Sequence, residues 1–387
     1  MSAIFRRSMV REIAAIRASF WDLALLTWMP LILLGAVAWQ ISGGVLREMP
    51  IAVIDQDGGA IGRELTRRLD AAPGLHVAAT PADMPEAAAL VRSNTVYAVV
   101  LIPYHTARDI ARGSTGDILV FNNASYVTIS GTVTREISAV VQSLSSRLAI
   151  DRSAAIVGPQ RIQPPPVATQ TTMLFNAQNS YELQLVSIVH PALLQLLFLV
   201  SIVGALGREL RDRTIGEWIG NGDMRMTIAS IAGKIAPYVA VFMAWGAIAT
   251  VYMVARGWPI AGSVTVILLG YLAMYLGFVG IAVLFVGTTR SMVQSLSFSG
   301  LYGGAAFAFS GAVFPLEAAS RFAYVWGHLV PYTYFAQLLS EQWSMATAPS
   351  YSLRHVAVML LFLLIAGAIG VRGYHAAADA PETWGKR

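Results

Sequence analysis

Six stretches of this chain contain no Asp, Glu, Lys or Arg: 23–46, 183–207, 235–255, 257–289, 291–316 and 355–371. A helix that crosses a bilayer needs about 20 mostly apolar residues, with a lower limit near 17. Five of the runs reach that length and the last sits at the limit. Soluble domains average about 25% charged residues; here the figure is 13%, against 56% hydrophobic. The pattern predicts an α-helical polytopic membrane protein with six transmembrane helices, at about 21–42, 183–206, 235–255, 264–288, 291–314 and 355–372. The first run holds Trp28 and Pro30, is bracketed by Trp21 and Trp39, and is followed by no clean small-residue cleavage site. It therefore reads as a retained span with an aromatic belt, not as a signal peptide.

Residues 45–180 have ordinary soluble composition and alternate strand-like with helix-like segments. Strands are expected at 50–55, "LHVAAT", "VYAVVLIP" and "DILVFNN", and helices at 60–71, "DMPEAAALVRS" and "YHTARDIARG". Asp83 is placed to cap the second of these helices, Pro103 ends a strand, and Gly113 closes the third helix. A long helix over 125–153 precedes "GPQRIQPPPVATQTT", which the prolines favour as an extended strap leading back to the membrane. The expected unit is an inserted extracytoplasmic α/β domain with one sheet, large enough to bury its own core.

Basic residues in short loops orient the spans. Arg6, Arg7, Arg11, Arg17, Arg208, Arg211, Arg213, Arg225, Lys234, Arg290, Arg372, Lys386 and Arg387 would lie on one side, against Arg256, Arg321 and Arg354 on the other. Both termini, with a tail at 376–387, are thus expected to be cytoplasmic and residues 45–180 outside. The inserted segment carries as many acids as arginines, so the net charge of +5 reads as membrane topology and not as nucleic-acid binding. Cysteine is absent, which excludes disulfides and thiolate metal sites. The first twenty residues place Phe5, Met9, Ile13, Ile16 and Phe20 at helical spacing, with arginines off that stripe. An interfacial amphipathic helix is expected there.

Motifs for chemistry fail on their details. "VIDQDGG" at 53–59 resembles a phosphatase nucleophile loop or the start of a calcium loop. The inserted segment has no lysine and no later acidic pair, and the twelfth position from Asp55 is Thr66 where calcium binding needs a bidentate Glu. The reading that survives is structural: Asp55 ends a strand, Gly58–Gly59 turn, and Asp57 caps the next helix. No P-loop, HExxH or GxSxG occurs, and "SFSGLYGG" at 297–304 reads as close helix packing. The expected span cores hold no acid, lysine or arginine, which argues against ion-coupled transport. His190–Pro191 reads as a kink with an interfacial polar group, and as a proton relay only in the alternative.

Two segments stand out. The cytoplasmic loop 207–234, "GRELRDRTIGEWIGNGDMRMTIASIAGK", puts Ile215, Trp218 and Ile219 on one helical face, and an exposed Trp among Arg and Glu is a docking composition. The segment 315–345 holds Glu317, His328, Pro331, Gln337 and several tyrosines. It reads as helices dipping into the outer leaflet, with residues 322–340 as a seventh span in the alternative.

In order along the chain, "WMPLILL", "PIAVIDQD", "YAVVLIPYHTARDIARG", "LFNAQNSYELQLVSIVHP", "GRELRDRTIGEW" and "SGAVFPLEAA" resemble the landmarks of a known family. It is the permease subunit of type-2 ATP-binding-cassette (ABC) exporters, in the bacterial drug-and-lipid branch with a large periplasmic domain. The resemblance implies that Glu209, Arg211, Arg213, Thr214, Glu217 and Trp218 form a coupling helix seated on a separate ABC ATPase subunit, which would hold ATP and Mg. Asp212–Arg213 stands where that family usually has Arg–Gly, and Gly216 where it often has an acid. The resemblance further implies an outer gate region at Gly311 and Pro315 with the 315–345 helices, a second permease subunit, and an inner-membrane location. It leaves open the substrate, homodimer against heterodimer, and a periplasmic adaptor. No catalytic residue, cofactor or metal is expected in this chain. The competing reading is a membrane-anchored scaffold or sensor whose external domain binds a ligand or adaptor without transport.

Overall fold

The structure is a computed structural model and describes residues 1–42, 47–112, 114, 116–123, 125, 127–157, 180–219, 223–312 and 315–385. Gly113, the proline-rich segment 158–172, Lys386 and Arg387 lie outside the described residues. The chain divides into two units, Met1–Ser42 with Glu182–Arg387, and Gly43–Tyr181.

The first unit opens with α1 (Ser2–Ala18), α2 (Phe20–Leu26) and α3 (Trp28–Gln40). The last two share one apolar run that breaks at Thr27. Proline cannot donate to the carbonyl four residues back, and its ring crowds that carbonyl. For Pro30 that carbonyl belongs to Leu26, which instead accepts the Trp245 indole N–H at 2.8 Å.

The second unit follows as β1 (Met49–Asp55), α4 (Ala60–Asp70), β2 (Leu75–Ala79), α5 (Met84–Arg92), β3 (Ala98–Ile102), α6 (Thr106–Arg112), β4 (Leu119–Asn122) and α7 (Val127–Val157). Strand order is β2-β1-β3-β4, with β1 parallel to β2 and β3, and β4 antiparallel on β3. Residues 51–54 are buried because both sheet faces are covered. Ile51 and Val53 pack with Leu65, Leu69, Val133 and Ile137, while Ala52 and Ile54 pack with Ala87, Val96 and Val99. Asp83 caps α5 through the Glu86 amide at 2.9 Å, and the Glu86 carboxylate takes the Ala82 amide in return.

The turn after β1 differs from expectation. Gly59, not Asp57, is the N-cap of α4, and no side chain caps that helix. Asp55 folds the turn by accepting the amides of Asp57 and Gly58 at 3.1 and 3.0 Å. Asp57 is then turned across the strand end, where it accepts from Ala107 near the start of α6 at 3.4 Å.

The first unit resumes as α8 (Tyr181–Arg211), α9 (Ile215–Ile219), α10 (Met224–Ala255), α11 (Val264–Thr289), α12 (Met292–Ala308), α13 (Arg321–His328), α14 (Pro331–Trp343) and α15 (Pro349–Ala378). Among the described residues, five segments are long and apolar enough to cross a membrane: Phe20–Gln40, Glu182–Arg211, Met224–Ala255, Val264–Thr289 and Pro349–Ala378. The expected span 291–314 is shorter than anticipated, because α12 stops at Ala308. The expected loop 207–234 is mostly helix: α8 runs on to Arg211 and α10 begins at Met224. Between α13 and α14 the helix is interrupted at Leu329–Val330, so residues 322–340 are two short helices. Helices α11 and α15 cross at backbone contact, and a Cβ on Gly287 would collide with the Gly370 carbonyl.

His190 is buried within α8, and its Nε2 donates to the Leu34 carbonyl of α3 at 3.1 Å.

Replacing Trp245 with Phe keeps the ring packing but strands the Leu26 carbonyl. It should cost about 1–3 kcal/mol, read as a lowered melting temperature of the full chain in detergent. An unchanged melting temperature would show that another donor serves that carbonyl.

Candidate functional site

The side chain that organises this site is Lys234, one of only two lysines in the chain. It lies on α10 with 2% of its surface exposed. An ammonium in that position requires carboxylate partners, and it has two. Its Nζ donates to Glu209 Oε1 on α8 at 2.7 Å and to Glu12 Oε2 on α1. Glu12 Oε1 accepts from Arg208 Nη2 at 2.6 Å and from the Tyr238 hydroxyl at 2.8 Å. Glu209 Oε2 accepts from Arg11 Nη2 at 2.9 Å and from the Thr214 hydroxyl at 2.5 Å. Arg208 also donates to Asp22. Every oxygen of the two buried glutamates is engaged, and the three cations Lys234, Arg208 and Arg11 balance Glu12, Glu209 and Asp22.

This network explains why α1 folds where it does. Its buried positions are Ser8, Glu12 and Ile16, one helical turn apart, which is the face it presents to α10. Phe5, Met9 and Ile13 of the expected apolar stripe are only half-buried, and Phe20 is exposed. The two backbones touch, since a Cβ on Gly233 would collide with the Phe5 carbonyl.

Above the network sits α9. Thr214, just before it, is anchored by Glu209. Ile215 and Ile219 are buried. Trp218 is turned inward and half-buried, and does not stand free as a docking side chain. Its Nε1 donates to Ser8 Oγ at 2.9 Å, and that hydroxyl donates to the Ser230 carbonyl at 2.7 Å. Lys234 Nζ lies 4.8 Å from the Trp218 ring centre, and Tyr374 meets the same ring edge-on at 6.2 Å. The tail closes the far side: Trp384 packs on Gly216, and the Gly385 amide donates to the Leu210 carbonyl at 2.9 Å.

The residues that remain on the surface are Arg211, Asp212, Arg213 and Glu217. Arg211 pairs bidentately with Asp212 at 2.7 and 3.0 Å, which holds the Asp212 carboxyl below its ordinary pKa. Glu217 makes no ion pair among the described residues. Arg213 has φ 62, a left-handed conformation that costs a non-glycine residue about 1–2 kcal/mol. It closes the end of α8, where the Thr214 amide reaches the Glu209 carbonyl at 2.9 Å and where glycine is the usual occupant.

The sequence-expected coupling residues therefore divide. Glu209, Thr214 and Trp218 are internal braces, whereas Arg211, Arg213 and Glu217 face outward. Sequence reasoning missed Ser8, Glu12, Asp22, Arg208, Tyr238 and Trp384. A signal for one of them was present, because Glu12 is the only acid before Asp22 in an arginine-rich helix and shares a face with Ser8 and Ile16.

The second expected cluster lies toward the other end of α8. Tyr332 of α14 donates to the Ile188 carbonyl, whereas Tyr374 donates to the Leu206 carbonyl near the charge network. Those carbonyls are roughly 27 Å apart along the helix. Gly311 follows α12 with φ 78. Pro315 precedes a 3-10 turn at Leu316–Ala318, and Glu317 in that turn is exposed. His328 ends α13, its Nδ1 donating to the Tyr324 carbonyl at 2.8 Å. Pro331 is buried as the first residue of α14, against α11 at Gly277. The Tyr302 and Tyr334 hydroxyls donate to the Leu329 and His328 carbonyls at 2.6 and 3.0 Å, which holds the break between α13 and α14 in place.

Residues 20–372 match the family model described as ABC-2 family transporter protein. The chain belongs to the ABC-2 transporter family. No curated protein and no solved structure gives a match. The ABC-2 match begins at residue 20, so Glu12, Arg11 and Ser8 of the buried network lie ahead of it, on the helix that this chain docks against α10.

In this ABC-2 permease, Glu12→Gln leaves the buried Lys234 and the half-buried Arg208 with one carboxylate too few. Breaking a buried pair typically costs about 3–5 kcal/mol. The single variant should melt well below the parent in detergent, and Glu12→Gln combined with Lys234→Met should recover part of the loss. Additive losses in the double variant would show that the two side chains are not coupled.

Proposed function

We propose that this chain is the membrane permease subunit of an ABC exporter whose ATP hydrolysis occurs in a separate subunit. Membership of the ABC-2 family supports a multi-pass permease of an ABC transporter, a transport component by family. The finer reading is that α9 and its flanks are the coupling element. One observation carries it: α9 is a five-residue helix fixed from behind by a balanced buried charge network. A push on such an element is transmitted to α1, α8 and α10 together and not absorbed by a loose loop.

The outward residues Arg211, Arg213 and Glu217 are then the contacts for the ATPase, and Glu209, Thr214 and Trp218 the parts that pass the displacement inward. Arg213 supports this division. An arginine kept in a glycine conformation spends stability for a side chain on the surface. We further assign six crossings with α12 as the fifth, both termini cytoplasmic in a bacterial inner membrane, and the α/β unit periplasmic. The helices after Gly311 form the outer gate, and a second permease copy or sibling completes the pathway. A drug, lipid or similar amphipathic compound is the cargo class. ATP and Mg belong to the partner, and a periplasmic adaptor is compatible with the exposed domain.

Arg213→Gly separates the two roles of that position. The variant should be more stable by about 1 kcal/mol yet retain less ATPase on gentle extraction and transport less. Glu217→Ala should weaken association without changing the melting temperature, and Trp218→Ala should lower both. If Arg213→Gly and Glu217→Ala leave association and transport unchanged, α9 is not the coupling contact.

Topology is testable because the chain has no cysteine. A membrane-impermeant maleimide applied to spheroplasts should label Ser93→Cys, in the α/β unit, and not Ser2→Cys. The reverse pattern would invert the assignment.

A further inference from the structure

An apolar groove of about 780 Å³ runs between α10, α11 and α15. Its walls include Ile228, Val239, Leu276, Val283 and Leu364, and every lining residue except Arg372 is aliphatic, Met or Gly. Along α10 it extends from Met224 to Ala240, about 24 Å of helix. That is the reach of a lipid acyl chain, and all three walls are helices long and apolar enough to cross a membrane. A groove of this kind in a membrane holds hydrocarbon.

Which hydrocarbon is settled by the charge at its end. Arg372 is exposed and makes no ion pair among the described residues. Arg225, beside the lining residue Met224, is likewise exposed without an ion pair among them. The Thr227 hydroxyl and His375 Nδ1 meet at 2.9 Å, which pins the start of α10 to the end of α15 and so brings both arginine positions to the same end of the groove. This is also the end whose basic residues set the cytoplasmic assignment. Arginines without an ion pair at the mouth of an apolar cleft suit a headgroup of net negative charge over a zwitterionic one, whose own cation competes for the phosphate.

We propose that the groove is a resident site for one anionic phospholipid of the cytoplasmic leaflet, with its phosphate on Arg372 and an acyl chain along α10. The site is separate from the α9 surface, and the proposal rests on membrane insertion of these helices and on the cytoplasmic orientation proposed for their Arg372 end.

The test uses the full-length chain, purified in detergent and titrated with phosphatidylglycerol or phosphatidylcholine of identical acyl chains, with bound lipid counted by native mass spectrometry. Wild type should retain one phosphatidylglycerol at detergent concentrations that strip phosphatidylcholine. Arg372→Gln should weaken phosphatidylglycerol retention roughly tenfold, the loss of one charge-assisted hydrogen bond, and leave phosphatidylcholine unchanged. Arg372→Lys should keep most of the preference. Ala368→Trp fills the groove from an exposed position and should remove the retained lipid without lowering the melting temperature. Equal retention of the two lipids by wild type, or undiminished phosphatidylglycerol in Arg372→Gln or Ala368→Trp, overturns the site. Such a failure leaves the permease reading untouched, since ATPase association is read separately and depends on Arg213 and Glu217.

Discussion

Two glutamates and a lysine cannot be withdrawn from water singly. Glu12, Glu209 and Lys234 sit almost wholly buried on three different helices, and each is tolerable only because the other two are present. Moving an ion of that size into a low-dielectric interior costs several kcal/mol even after relaxation, so α1, α8 and α10 are obliged to meet at one register. The rest of the membrane unit follows from that constraint. Thr214 is drawn onto Glu209, Trp218 closes over Lys234, Ser8 links the indole to α10, and Trp384 fills the remaining side of α9.

A balanced ionic cluster holds the helices that share it together as one body. Dispersion contacts between apolar helices in a bilayer slide at modest cost. A network with every carboxylate oxygen occupied does not, because a displaced partner leaves a bare charge. Through Thr214 and Trp218, α9 is tied by that cluster to three helices at once. The tyrosine hydroxyls at the far end of α8 work on a smaller scale. They occupy carbonyls where α13 and α14 break, which lets irregular backbone persist among apolar helices.

Much of this was legible in the chain. Strands and helices of the α/β unit followed from short apolar runs bounded by Pro, Gly and Asp, since such local rules act within a few residues. The apolar runs marked the long helices for the same reason. Their ends were misjudged wherever charge was used as the boundary. Lys234 and Arg208 were taken to lie in solvent, but they are neutralised by Glu12 and Glu209 across the bundle, so α8 and α10 run through them. Asp57 was assigned to the nearest helix, yet Asp55 had already folded the turn and α6 offered the free amide. Trp218 was taken as exposed because its neighbours are charged, whereas its indole partner, Ser8, is some two hundred positions earlier in the chain.

The sequence by itself determined that this chain crosses a membrane several times, where its inserted sheet begins and ends, and which connection carries the family's landmark residues. Hydropathy, turn chemistry and spacing are local quantities. Only the tertiary structure decided which charges are buried, which of the residues around α9 face outward, and where an apolar cleft ends on an arginine with no ion pair among the described residues. Those depend on pairings between helices hundreds of residues apart, and no local pattern encodes which buried charge will find which partner.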